Sequence, residues 1–222
     1  DKRANWYAGQ YYWAQGFNKM KPQNKPAADF IIESLKKYPN EVVVISVGPV
    51  MNLADVIDKD PEALKLAKKV YSMFGSFHIG YGTMPAIDAE WNVRVDIPAS
   101  QKFVNSGAEI VYAGLDVTAM VKLDQAKRDQ LLMRQSPLTN ALSGLYVLWE
   151  NETPTLFDPV AIGMLIYPEL FRTEKVHIQV DEKGYTRLIP DKEPNAEIGV
   201  QIDRQEFLKR IMDRYMKQNL ER

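Results

Sequence analysis

The stretch EVVVISVGPVMNLADVID, Glu41 to Asp58, decides how this chain is read. Its opening run EVVVISV is β-branched and too short for a buried helix, so it predicts a strand. Gly48-Pro49 breaks the run, and MNLADVID returns to helical spacing. The same alternation continues on both sides. Upstream, KPAADFIIESLKKYP predicts a helix with Pro26 near its start and Phe30, Ile31, Ile32 and Leu35 turned inward, ended by Pro39 and Asn40. Downstream, PEALKLAKK opens with Pro61 after Asp60 and predicts another helix start, and KVYSMFG, Lys69 to Gly75, the next strand. Ser76 to Asp88 has no clean period and reads as a loop. A helix follows from Asp96 and Pro98 to Phe103, closed by Ser106-Gly107. EIVYAGLDV, Glu109 to Val117, predicts a third strand. Helices are expected over Leu123 to Arg134, Leu138 to Trp149, from Asp158-Pro159 onward, and Arg204 to Leu220. KVHIQVDEKGYTRLI predicts a hairpin turning at Glu182-Lys183-Gly184.

Strands and helices joined by short connectors predict an α/β fold. Its sheet is mainly parallel and flanked by helices, with a late β-hairpin. Ligands of such sheets bind beyond the carboxyl ends of the strands. That directs attention to Gly48-Pro49-Val50-Met51-Asn52, to the loop leading into AEWNVRVD (Ala89 to Asp96), and to Asp116-Val117-Thr118. Read as a strand, AEWNVRVD puts Glu90, Asn92, Arg94 and Asp96 on one side and Trp91, Val93 and Val95 on the other. On their own, Glu90 and Asn92 suit a solvated face as well as a ligand pair. Asp158 before Pro159 suits a helix N-cap as well as a metal ligand.

Composition narrows the functions. The 222 residues are 45% hydrophobic and 26% charged, the balance of a soluble globular protein. A net charge of −1 gives no general attraction to nucleic acid or anionic lipid. The absence of cysteine excludes thiol nucleophiles, disulfides and Cys-ligated zinc. No apolar run has membrane-spanning length. Compartment is not readable: a cytoplasmic and an exported soluble protein both fit. Neither serine-nucleophile nor phosphate-loop spacing occurs, and His78 and His177 are too far apart in sequence to suggest a metal pair. The chain begins at Asp1, which predicts a processed or trimmed polypeptide. Its opening, NWYAGQYYWAQGF, gathers Trp6, Tyr7, Tyr11, Tyr12, Trp13 and Phe17, an aromatic surface that needs covering by this chain or another.

Four segments, taken in order, resemble the inosine–uridine-preferring nucleoside hydrolases. GPVMNLADV (Gly48 to Val56) is similar to that family's GPLTNLA, and SMFGSF (Ser72 to Phe77) to its MGG turn. AEWNVRVDIPAS (Ala89 to Ser100) is similar to AEFNxxxDPEAA. LDVT (Leu115 to Thr118) is followed by LFDPVAIG (Leu156 to Gly163), which resembles HDPLA. The resemblance implies a single domain over residues 1–222 with a Rossmann-like core. It also implies calcium-assisted hydrolysis of the N-glycosidic bond of a ribonucleoside, through an oxocarbenium-like transition state.

Carried over residue by residue, the resemblance makes Glu90 and Asn92 contacts to ribose hydroxyls. Asp158 becomes a Ca2+ ligand that also touches the sugar, and Met51 supplies a backbone carbonyl to the ion. Phe157 stands where the family has the His thought to protonate the leaving base; it can stack on a nucleobase but has no proton to donate. The Gly-Asn before AEFN is altered, because GYGTMPAIDAE is longer. The family's Asp-rich DTDxGxDDxxA segment, source of further calcium ligands and the general base, has no counterpart here. The resemblance therefore implies a chain lacking the N-terminal strand and helix of the family. Two alternatives follow: a nucleoside- or sugar-binding protein without catalysis, or a subunit completed by another chain. A homo-oligomer, dimer or tetramer, is also implied.

Overall fold

A computed structural model describes residues 9–16, 20–149 and 153–217. Trp6, Tyr7 and Phe17 of the aromatic opening lie outside the described residues. The described helices are α1 (Gly9–Ala14), α2 (Ala27–Lys37), α3 (Met51–Lys59), α4 (Trp91–Arg94), α5 (Ile97–Val104), α6 (Leu115–Thr118), α7 (Gln125–Arg134), α8 (Pro137–Val147), α9 (Phe157–Ile166) and α10 (Arg204–Met216). The strands are β1 (Val43–Ser46), β2 (Lys69–Met73), β3 (Ile110–Ala113), β4 (Phe171–Val176), β5 (Ile178–Val180), β6 (Thr186–Leu188) and β7 (Ala196–Ile202). The chain divides into two compact units. The larger holds residues 25–121 and 156–207, and the smaller holds 1–24, 122–155 and 208–222.

In the larger unit a sheet of order β1-β2-β3-β7-β4 forms the frame. β1, β2, β3 and β7 run parallel, with Val43 beside Lys69, Val70 beside Ile110 and Val111 beside Glu197. β4 is antiparallel to β7, pairing Phe171 with Ile202 and Val176 with Ala196. The central β3 buries all four residues, which is why IVYA carries no polar alternation. β1 is an edge strand, and Ile45 remains 40% exposed. α3 packs against α2 and α5, while α9 packs against β2 and β3 with α6 beside it. Phe74 anchors one core cluster, edge-on to Phe103 at 5.6 Å and 5.4 Å from Tyr112. Gly163 lets α9 approach Phe207: a Cβ there would lie 2.3 Å from the ring.

Local signals explain most boundaries. Pro26 stands at the N-cap of α2. Asp96 caps α5 by accepting from Ala99 N–H at 3.0 Å. The hairpin β5–β6 turns through Gly184 at φ +83°. Four expectations are corrected. Phe30 is 54% exposed, and only Ala28 and Leu35 of α2 are buried. PEALKLAKK forms a short 3₁₀ turn, Ala63–Leu66, because chain reversal into β2 follows within three residues. The third strand ends at Ala113, and LDVT coils into α6. The helix expected at Asp158-Pro159 begins earlier, at Phe157 with Leu156 as N-cap, so Asp158 is a first-turn residue rather than the cap.

In the smaller unit, Ser136 and Thr139 form a reciprocal capping box at the start of α8. Arg134 Nε donates to Met216 O at 2.7 Å. Tyr11 and Tyr12 stay 45% and 67% exposed, edge-on to each other.

Candidate active site

The site loop begins where β2 ends. Gly75 turns at φ +86°, a conformation that disfavours any side chain, and a Cβ would press on Thr186 at 3.0 Å. Thr186 of β6 clips this turn from the hairpin. Its hydroxyl donates to Ser76 O at 2.6 Å and accepts from Ser76 N–H at 2.9 Å. Asp116, in the first turn of α6, fixes the next residues. Its carboxylate accepts from Phe77 N–H at 2.9 Å and His78 N–H at 2.8 Å, and lies 3.0 Å from His78 Nδ1. Asp88 closes the loop by accepting from Tyr81 N–H at 2.8 Å. Each of these side chains satisfies backbone donors that the irregular loop cannot pair for itself.

Glu90 stands at the end of this loop as the N-cap of α4 and is 2% exposed. Its Oε2 accepts from Gly75 N–H at 3.2 Å. Its Oε1 accepts from Asn92 N–H at 3.0 Å and from the Tyr81 hydroxyl at 3.3 Å. Burial pushes its carboxyl up to about 7, against the opposing pull of those donors. Asn92 is buried too, and its Nδ2 donates to Met73 O at 3.0 Å. The strand-like alternation read from AEWN is replaced by a helical turn. Val93 is its buried anchor, whereas Trp91 is 42% exposed with Arg94 over its ring.

Phe157 meets this group through Tyr81: the two rings stand edge-on at 6.1 Å. Asp158 follows in the first turn of α9. It is open to solvent, yet enough protein surrounds it that burial raises its carboxyl to about 6. Both statements hold for a side chain with dense surroundings and one open face. Met51 is the first residue of α3, at the carboxyl end of β1. The fold thus sets Glu90, Asn92, Tyr81 and Phe157 in one connected group, with Asp158 adjoining it along the chain. No printed contact joins Met51 to that group. Among the described residues there is no cluster of three or more His, Asp or Glu able to hold a metal ion. His177 donates to Glu193 O or accepts none, at 2.7 Å, and serves the hairpin region.

Sequence alone marks the strand end at Asp116 but not its role as a double backbone acceptor. Tyr81 and Thr186 carry no sequence signal beyond lying in a loop and a hairpin.

The comparisons agree with this geometry. The profile of the inosine-uridine preferring nucleoside hydrolases matches residues 7–209. A pyrimidine-specific ribonucleoside hydrolase, RihA, of Shigella boydii is 29% identical over 211 residues, covering 87% of this chain and 67% of that protein. Among solved structures, a purine-preferring ribonucleoside hydrolase from Gardnerella vaginalis superposes with a TM-score of 0.80 at 26% identity, over 90% of this chain and 68% of the other. The plant nucleoside hydrolase PpNRh1 shares the fold, with a TM-score of 0.80 at 21% identity over 90% of this chain and 70% of its own. With its profile matched over most of its length, the chain belongs to the inosine–uridine-preferring nucleoside hydrolase family.

Proposed function

We propose that this chain acts in hydrolysis of the N-glycosidic bond of ribonucleosides, with Glu90 and Asn92 reading sugar hydroxyls, Phe157 walling the base and Asp158 facing the sugar. The observation that carries this reading is the Phe157–Tyr81–Glu90 contact chain. It joins an aromatic surface suited to a planar base to a buried carboxylate suited to a hydroxyl. Polar groups committed to hydroxyls reject sugars that lack them, because the buried partners are then left unpaired. The substrate class is a ribonucleoside on this argument; which base is taken is set by the surface around Phe157.

Calcium belongs to the same proposal, with the Asp158 carboxylate and the Met51 carbonyl as donors. Calcium takes six to eight oxygens, so these two do not by themselves form its site. The remaining donors and the base that activates water would come from outside these 222 residues, upstream in a longer polypeptide or on another chain. Phe157 has no proton for the leaving base, so leaving-group protonation is also assigned elsewhere. A homo-oligomer is part of the proposal and is tested by light scattering after size exclusion.

Titration calorimetry with uridine and with calcium, alongside uridine turnover, tests the reading. Binding with turnover supports it, and binding without turnover supports the non-catalytic binder instead. A folded sample that binds neither ligand and turns over nothing overturns it. Asn92→Ala separates recognition from folding. Losing the buried bond to Met73 O should cost about 1–2 kcal/mol of stability. Uridine binding should weaken about tenfold, the effect of one hydrogen bond of about 1.4 kcal/mol. Unchanged affinity in a folded variant would remove Asn92 from the sugar site.

A further inference from the structure

We propose that Tyr81 gates the sugar site: its phenol hydroxyl occupies the hydrogen-bonding position on Glu90 that a substrate hydroxyl takes over. This rests on the ribonucleoside reading and names how that site opens.

Three donors reach the Glu90 carboxylate, and they differ in kind. Gly75 N–H and Asn92 N–H are backbone groups of buried residues, held by the turn after β2 and by α4. The Tyr81 hydroxyl is a side-chain group, and Tyr81 is 37% exposed. It is therefore the partner that can leave without unfolding the loop. Its bond to Glu90 is 3.3 Å, well beyond the length of about 2.5–2.7 Å for a strong hydroxyl–carboxylate bond. The hydroxyl also accepts from Trp91 N–H at 2.9 Å. A hydroxyl that donates to a carboxylate and accepts from a backbone amide has the pattern that a sugar hydroxyl offers. A ribose hydroxyl placed there restores both bonds, so the exchange leaves no buried group unpaired.

The loop places the phenol for this role. Tyr81 N–H is tied to Asp88, and Gly80 is packed so closely that a Cβ would lie 2.4 Å from the Asp88 carboxylate. Backbone fixation leaves the side-chain torsions as the means of movement. The Tyr81 ring lies edge-on to Phe157, at an interplanar angle of 79°. When the phenol withdraws from Glu90, that edge contact breaks and the Phe157 face is freed for a base. Sugar entry and base stacking are thereby coupled through one side chain.

Two measurements test the gate. In the unaltered protein, nuclear Overhauser contacts between the Tyr81 and Phe157 rings should fade as uridine is added; contacts that persist at saturation overturn the gate. In Tyr81→Phe the competing hydroxyl is gone, and calorimetry should show uridine binding about 3- to 10-fold tighter, the range of one ordinary hydrogen bond. Equal or weaker binding by Tyr81→Phe, with the unaltered protein binding uridine, overturns the gate alone and makes Tyr81 a structural cap. Absence of binding by both folded proteins overturns the ribonucleoside reading and the gate with it.

Discussion

Alanine at Asp116 should lower the thermal midpoint of the larger unit by about 6–12 °C. Asp116 is 4% exposed and makes no contact with solvent that could be traded for its bonds. Its two oxygens serve Phe77 N–H and His78 N–H, and Phe77 is 5% exposed against Tyr112. Removing the carboxylate leaves the Phe77 amide without a partner in a place water does not reach. The His78 amide is nearer the surface and is more easily rehydrated. Bonds to a charged acceptor contribute about 1.5–3 kcal/mol each, and an unsatisfied buried donor costs about 1–3 kcal/mol. A net loss of about 3 kcal/mol follows, and a chain of this size loses about 2–4 °C per kcal/mol. Asn at the same position keeps one acceptor oxygen and should lose about half as much. Calorimetric melts of the three proteins check the order. Amide exchange should localise the damage to the loop from Gly75 to Glu90, which Asp116 ties to α6. A shift below about 2 °C for the alanine variant would show that the loop holds itself.

The sequence made the frame legible because the frame is periodic. EVVVISV, KVYSM and IVYA are short apolar runs whose flanking glycines and prolines mark their ends, and all three lie in the sheet in parallel register. Helix starts were legible wherever a cap side chain carried them, as at Asp96 and Ser136. They were misplaced where no side chain does the capping, as at Leu156 before α9. The position of Glu90 and Asn92 beyond the end of β2 was also legible, from topology. Their burial was not, since a polar residue among apolar neighbours reads as exposed until its partners are known. Those partners come from far along the chain. Asp116 reaches back 38 residues to His78, and Thr186 reaches 110 residues to Ser76. No local pattern encodes such pairs. Tyr81 escaped for a different reason: within GYGTMPAIDAE its spacing to Glu90 is nine residues of irregular backbone, which only the fold converts into a contact.

Raising the pH from about 4.5 to about 7 should remove about 3 kcal/mol of stability through Glu90. In the folded chain burial holds this carboxyl near 7, whereas its ordinary value is 4.5. Between those values the folded state binds more protons than the unfolded state. Stability therefore falls as pH rises, is full below about 4.5, and levels off above about 7. At 1.36 kcal/mol per pKa unit the gap gives about 3 kcal/mol, with a steepest slope of about 1.4 kcal/mol per pH unit. The exposed carboxylates held low by neighbours, such as Asp124 beside Lys127, act in the opposite sense and at lower pH. Subtracting the profile of Glu90→Gln isolates the one group. Glutamine cannot ionise, and its amide turns a donor toward one of the three donors now facing Glu90, which adds a cost independent of pH. The comparison therefore lies in the slopes of urea-derived stability against pH, not in the absolute values. Parallel profiles for the two proteins would assign the pH dependence to another group. The same charge state enters binding. A sugar hydroxyl donates best to the ionised carboxylate, so uridine should draw Glu90 toward ionisation and release protons near pH 7. Calorimetry in buffers of different ionisation enthalpy measures that release directly. It should vanish in Glu90→Gln, because the group that gave up the proton is no longer there.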